Sequence, residues 1–182
     1  DNMNKKLVIS IMAKVPLAAL EKNLGTEKTV RVMPNLAAKT GKGLSGWICG
    51  NKVTDEEKET VRKILQSFGK EIEVENEEKI AAITALYGCG PAYFFYLSEL
   101  IEQKAITSGF SKKDAQKIAE TTLTGAASLL GKYTSEELRS QVASKGGVTE
   151  KTIRYLQEKK FDKIFLEALE KDGKLGDMRM IV

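Results

Sequence analysis

The sequence predicts an α/β segment built on a parallel sheet, followed by an all-α segment. Two observations carry this. Short apolar runs alternate with helix-period stripes as far as Glu75, and no strand pattern recurs beyond it. The boundary falls near residue 76, giving segments 1–76 and 77–182.

Leu7 to Met12 is a nearly continuous apolar run, the pattern of a parallel strand covered on both faces. Pro16 suits the first turn of a helix with Leu17, Leu20 and Leu24 on one face, ended by Gly25. Val30 to Met33 forms a second strand, stopped by Pro34-Asn35, and Ser45 to Cys49 a third. Thr54 with Glu57 makes a capping box opening a helix whose Val61, Ile64, Leu65 and Phe68 form one stripe, closed by Gly69. Glu71 to Val74 alternates charged and apolar residues, as a half-exposed strand does.

Beyond Glu75 the elements are helices. Ile80 to Ser98 carries no charge and imitates a membrane span, but Tyr87-Gly88-Cys89-Gly90-Pro91 at its centre breaks a helix. The expectation is two buried helical pieces joined at a kink, with no membrane. Pro91 starts a helix reaching Ser108-Gly109, and Ser111 with Asp114 caps the next. Thr134 with Glu137 caps a shorter one, and two more lie around Ile153 and around Phe165. The tail from Lys174 is left unassigned.

Composition excludes several function classes. The 182 residues contain 29 Lys+Arg against 25 Asp+Glu, two cysteines and no histidine. Without histidine no Ser-His-Asp or Cys-His machinery can form, and two thiols alone cannot close a structural zinc site. The modest, scattered charge demands neither nucleic acid nor an anionic membrane. Two cysteines are too few for a disulfide framework, so a reducing cytoplasm is expected.

Three constellations can carry chemistry. Ser144-Lys145-Gly146-Gly147-Val148-Thr149 lies between two helices, the second starting near Thr149. Paired glycines before a helix N-terminus expose backbone N–H groups to a carboxylate or phosphate, with the Ser144 and Thr149 hydroxyls as further donors. The same residues also suit an ordinary turn in which Thr149 is only an N-cap. Tyr87 to Tyr93 permits close approach of a ligand, or is simply a tight kink. Within it Cys89 is either a helix-end thiol of lowered pKa or a buried, inert one. Asn35, with the Ile11 to Val15 loop, lies at the carboxyl edge of the sheet where α/β folds bind ligands. A Pro-Asn turn, however, needs no ligand.

Taken in order, Val30 to Asn35, Gly88 to Tyr93 and Ser144 to Thr149 resemble Δ1-pyrroline-5-carboxylate reductase, from about Leu7 to Leu169. The resemblance implies the end of a Rossmann domain, then a helical domain that forms a homodimer or a higher oligomer. It implies NADPH- or NADH-dependent reduction of the substrate C=N bond to L-proline. Gly146, Gly147, Val148 and Thr149 would hold the carboxylate through backbone N–H groups with help from Ser144, and the Thr149 hydroxyl would bond the ring nitrogen. Ala13, Pro34 and Asn35 would lie against the nicotinamide. Because no Gly-x-Gly-x-x-Gly turn comes after a strand, the nucleotide-binding half is expected to be missing and the chain alone inactive. Tyr87 and Cys89 stand where the family has serines, Lys145 where it has proline and Lys14 where it has glycine. A paralogue acting on another substrate, or a non-catalytic dimerisation module, are the competing readings.

Overall fold

The computed structural model describes residues 5–173. These divide into two compact units: one takes in the described residues up to Pro91 together with those from Glu170 onward, the other Ala92–Leu169. The tail from Lys174 lies outside the described residues.

The first unit is a four-stranded sheet in the order β1 (Val8–Ser10), β2 (Thr29–Met33), β3 (Gly43–Cys49), β4 (Gly69–Glu73). It is mixed rather than all parallel: β1 pairs parallel with β2 and β3 with β4, whereas β2 and β3 run antiparallel. Connection length explains the difference. Helices α1 (Leu17–Leu24) and α2 (Asp55–Gln66) provide the long crossovers that parallel neighbours need. Between β2 and β3 there is only the segment from Pro34 to Lys42, with a single 3₁₀ stretch at Leu36–Thr40, which is too short to return the chain to the same end.

One face of the sheet packs against α2, where Val30, Val32 and Trp47 meet Val61 and Leu65. Trp47 is fully buried, with its indole N–H on the Glu71 carboxylate at 2.7 Å and the Arg62 guanidinium over its ring. Cys49 belongs to this layer, and burial pushes its thiol pKa up despite the nearby Lys58. On the other face lie α1 and α3 (Glu77–Ile83), tied to the sheet by one acid. Glu77 accepts from the Leu17 N–H at 2.6 Å and pairs with Arg31, which is only 3% exposed. The capping box of Thr54 and Glu57 is present as the sequence indicates.

The Gly-Pro segment does not break the chain. α3 runs through a π-helical turn, Thr84–Gly88, directly into α4 (Gly90–Thr107). Gly90-Pro91 sits at the first turn of α4, where a missing N–H is tolerated. Together Glu77–Thr107 is one helix long and apolar enough, by length and composition, to cross a membrane. Ile80, Ala81 and Ala85 are buried, but Phe94, Phe95, Tyr96 and Leu97 are exposed, so the second piece is not buried as expected.

The second unit continues with α5 (Lys112–Leu129), α6 (Ser135–Val142), α7 (Val148–Glu158) and α8, the last spanning Phe161–Gly173. Ser111 caps α5 and Thr134 forms a complete capping box on α6. Among its described residues, only the alanines Ala105, Ala115 and Ala119 are buried apolar side chains; no large one is. A core of alanine methyl groups cannot offset the ordering of these helices. The unit has apolar faces still to be covered.

Candidate functional site

The paired-glycine turn joins α6 to α7. Gly146 has φ 75°, the left-handed conformation that glycine adopts without penalty. Gly147, at φ −72° and ψ 172°, is the N-cap of α7, so the helix begins at Val148 and Thr149 is its second residue rather than its cap. A cap at Thr149, as the sequence suggests, is two residues too late, because a glycine cap leaves no side-chain signature.

The turn closes on itself through the Gly147 N–H, which donates to the Ser144 carbonyl at 2.9 Å. The first intrahelical bond comes from Lys151 N–H to the Gly147 carbonyl at 3.2 Å, so the N–H groups of Val148, Thr149 and Glu150 precede it. Gly146 donates its N–H to the Glu150 carboxylate. Of the four backbone donors expected for a carboxylate, those of Val148 and Thr149 have no partner among the described residues, whereas those of Gly146 and Gly147 are engaged. The Ser144 and Thr149 hydroxyls have no partner among the described residues. Ser144 and Val148 are exposed and Thr149 is half-buried.

Glu150 is a participant that the sequence does not announce. Its signal is there, an acid three residues after a helix cap, but becomes legible only once Gly147 is known to be that cap.

The carboxyl edge of the sheet, in the first unit, is a separate feature. Ser10 stands opposite Arg31, so Ile11 to Ala13 and Met33 to Asn35 leave the sheet side by side. Ile11, Met12 and Ala13 are exposed, and Pro34 and Asn35 half-buried. Asn35 caps the 3₁₀ stretch through Ala37 N–H at 3.1 Å. Its oxygen also accepts from the Tyr87 hydroxyl at 3.0 Å, and its amide donates to the Tyr87 carbonyl at 3.3 Å. One amide hydrogen of Asn35 has no partner among the described residues. Tyr87, one of the residues that depart from the family pattern, holds Asn35 in place. Cys89, the residue that follows the π-helical turn, is exposed, so it is not the buried, inert thiol that is one of the two expectations.

Lys14 occupies φ 65°, a left-handed conformation that disfavours side chains. Glycine at this position removes the steric penalty, so Lys14→Gly is expected to stabilise the chain by about 0.5–1 kcal/mol in urea unfolding. No gain would show that the loop relaxes around the lysine.

Ala13 and Pro34 are small, apolar neighbours at this edge, beside the Asn35 amide. No helix-backed glycine turn accompanies them among the described residues. Gly41, Gly43 and Gly46 do have Gly-x-Gly-x-x-Gly spacing, but they lead into β3, not a helix, so no helix N-terminus stands behind them.

Known proteins share this arrangement of elements. Residues 77–174 match the family model described as pyrroline-5-carboxylate reductase dimerisation. The pyrroline-5-carboxylate reductase of Aquifex aeolicus is 36% identical over 170 residues, covering 92% of this chain and 64% of that protein. The structure of a pyrroline-5-carboxylate reductase from Coxiella burnetii superposes with a TM-score of 0.86 at 32% identity, over 94% of this chain and 65% of that one. The pyrroline carboxylate reductase of Plasmodium falciparum, solved with NADP bound, gives 0.85 at 26% identity, over 94% and 70%. The chain spans about 64% of the length of the curated relatives it matches. A small mixed sheet leading into a helical region is thus a known architecture, and the chain belongs to the pyrroline-5-carboxylate reductase family.

Proposed function

We propose that the chain is the substrate-binding and dimerising part of a reductase that converts 1-pyrroline-5-carboxylate to L-proline with NADPH or NADH. The observation that carries this reading is the turn from Ser144 to Thr149: two N–H groups at a helix start beside two hydroxyls, all without partners among the described residues. In this reading the Val148 and Thr149 N–H groups clamp the carboxylate, and the Thr149 hydroxyl bonds the ring nitrogen. A protonated imine is already electrophilic, so alignment matters more than a strong base. That suits a chain without histidine. When bound, the reduced nicotinamide supplies the hydride. Ala13, Pro34 and Asn35 would hold its ring.

The exposed apolar faces of α4 and its neighbours are read as contact between copies of the chain rather than with lipid, since the matched family model is one of dimerisation. Two unpaired thiols suit the cytoplasm.

Titration calorimetry tests the reading. L-Proline is expected to bind with a dissociation constant on the order of a millimolar. Prolinamide, which lacks the carboxylate, should bind about tenfold more weakly, and NADPH hardly at all. Equal affinity for proline and prolinamide would refute the clamp, and micromolar NADPH binding would refute the missing phosphate cradle.

A further inference from the structure

Glu150 stands between two candidate partners. It stands four residues before Arg154 on α7, the spacing and order in which an acid and a base pair best on a helix. Lys163 and Glu167 on α8 pair at the same spacing even in the less favourable order, base before acid. Glu150 instead folds back over the helix start and accepts from the Gly146 N–H. Arg154 is left without an ion-pair partner among the described residues, and so is Arg139 on α6. The three side chains share one hollow of about 360 Å³ between α6 and α7, lined also by Ser140, Ala143 and Gln157.

We propose that the Glu150 carboxylate is an internal latch on the paired-glycine turn: an incoming carboxylate displaces it from Gly146, and Arg154 receives it in the hollow. This rests on the reading of the turn as a carboxylate clamp. A negative charge already at the helix start opposes a second one by the same field that attracts it. The residue therefore sets how strongly a substrate must be charged to enter. Release costs one charge-assisted bond and returns an ion pair at favourable spacing, so the two arrangements lie close in free energy. A ligand with a neutral carbonyl in place of the carboxylate gains less from the vacated donor, so it drives the exchange only weakly.

Calorimetry with L-proline and prolinamide tests this on the wild type, Glu150→Ala, Glu150→Gln, Arg154→Gln and the variant combining Glu150→Ala with Arg154→Gln. Circular dichroism confirms equal helix content. Removing the latch in Glu150→Ala is expected to tighten proline binding roughly three- to tenfold while changing prolinamide binding much less. Glu150→Gln, which keeps an acceptor but no charge, should fall between. Arg154→Gln should weaken proline binding in the wild-type background and have no effect in the Glu150→Ala background, since without a latch no receiver is needed. A preference for proline that Glu150→Ala leaves unchanged or reduces overturns the latch while sparing the clamp. Equal weakening by Arg154→Gln in both backgrounds also overturns it, since the arginine then acts on the ligand directly. No preference for proline over prolinamide in any of the proteins removes the clamp itself.

Discussion

Glu77→Ala is expected to destabilise the first unit by about 2–4 kcal/mol. The side chain joins three elements. One carboxylate oxygen receives the Leu17 N–H at the start of α1, and the other pairs with Arg31 on β2. Arg31 is almost wholly buried, whereas Glu77 is 38% exposed, so truncation lets water reach the acid's place but leaves a guanidinium under the sheet without its partner. That exposure puts the loss toward the lower part of the range for broken buried pairs. A companion variant tests the cause. Arg31→Met with Glu77→Gln removes both charges and should cost less than Glu77→Ala alone, because no uncompensated charge remains. Urea unfolding followed by Trp47 fluorescence measures both, since Trp47 is buried in the same unit. A double variant less stable than the single would show that the pair stabilises by attraction rather than by mutual neutralisation. The loss should also loosen the segment from Ile11 to Pro16, whose far end Glu77 anchors through Leu17.

Gly147→Ala is expected to weaken L-proline binding roughly ten- to a hundredfold without unfolding the helical unit. The backbone angles at Gly147 suit any residue, so the effect does not come from φ. It comes from space. A methyl group there would lie 2.6 Å from the Ser144 hydroxyl oxygen and 2.9 Å from the Ser144 carbonyl oxygen. The hydroxyl can rotate away, but the carbonyl is backbone and already accepts the Gly147 N–H. The turn must therefore open, which displaces the Val148 and Thr149 N–H groups relative to the two hydroxyls. Displacements of about an ångström suffice for losses of this size in oriented sites. Circular dichroism should be unchanged and proline affinity reduced. Unchanged affinity would mean that the carboxylate is held elsewhere, and with it the assignment of this turn would fall.

Much of the architecture is legible in local chemistry. Capping boxes at Thr54 and Thr134 predict helix starts that the structure keeps, because the reciprocal bonds involve residues three apart and need no tertiary partner. Of the stripe Val61, Ile64, Leu65 and Phe68, all but Ile64 pack on the sheet, and Ile64 is exposed. The family motifs are likewise contiguous, and so are visible. Three features are not. The antiparallel β2–β3 pair escapes a sequence reading because strand direction depends on where the chain goes between strands, and a 3₁₀ stretch carries little periodicity of its own. Continuity through Gly90-Pro91 escapes it because helix-breaking residues are harmless in a first turn, and only the π-helical turn before them shows that they occupy one. Exposure of Phe94 to Leu97 escapes it because an apolar run says that a surface will be covered, not by which chain.

Most elements, most of their caps and the order of the motifs are written in residues within a turn or two of one another, and are legible in the sequence alone. Strand direction, the bonding of Asn35 to Tyr87 across 52 positions and the use of Glu77 as a common anchor emerge only when the chain has folded. These contacts bring together groups far apart in sequence against the entropy of closing the loops between them, and no local pattern of side chains records which distant groups will meet.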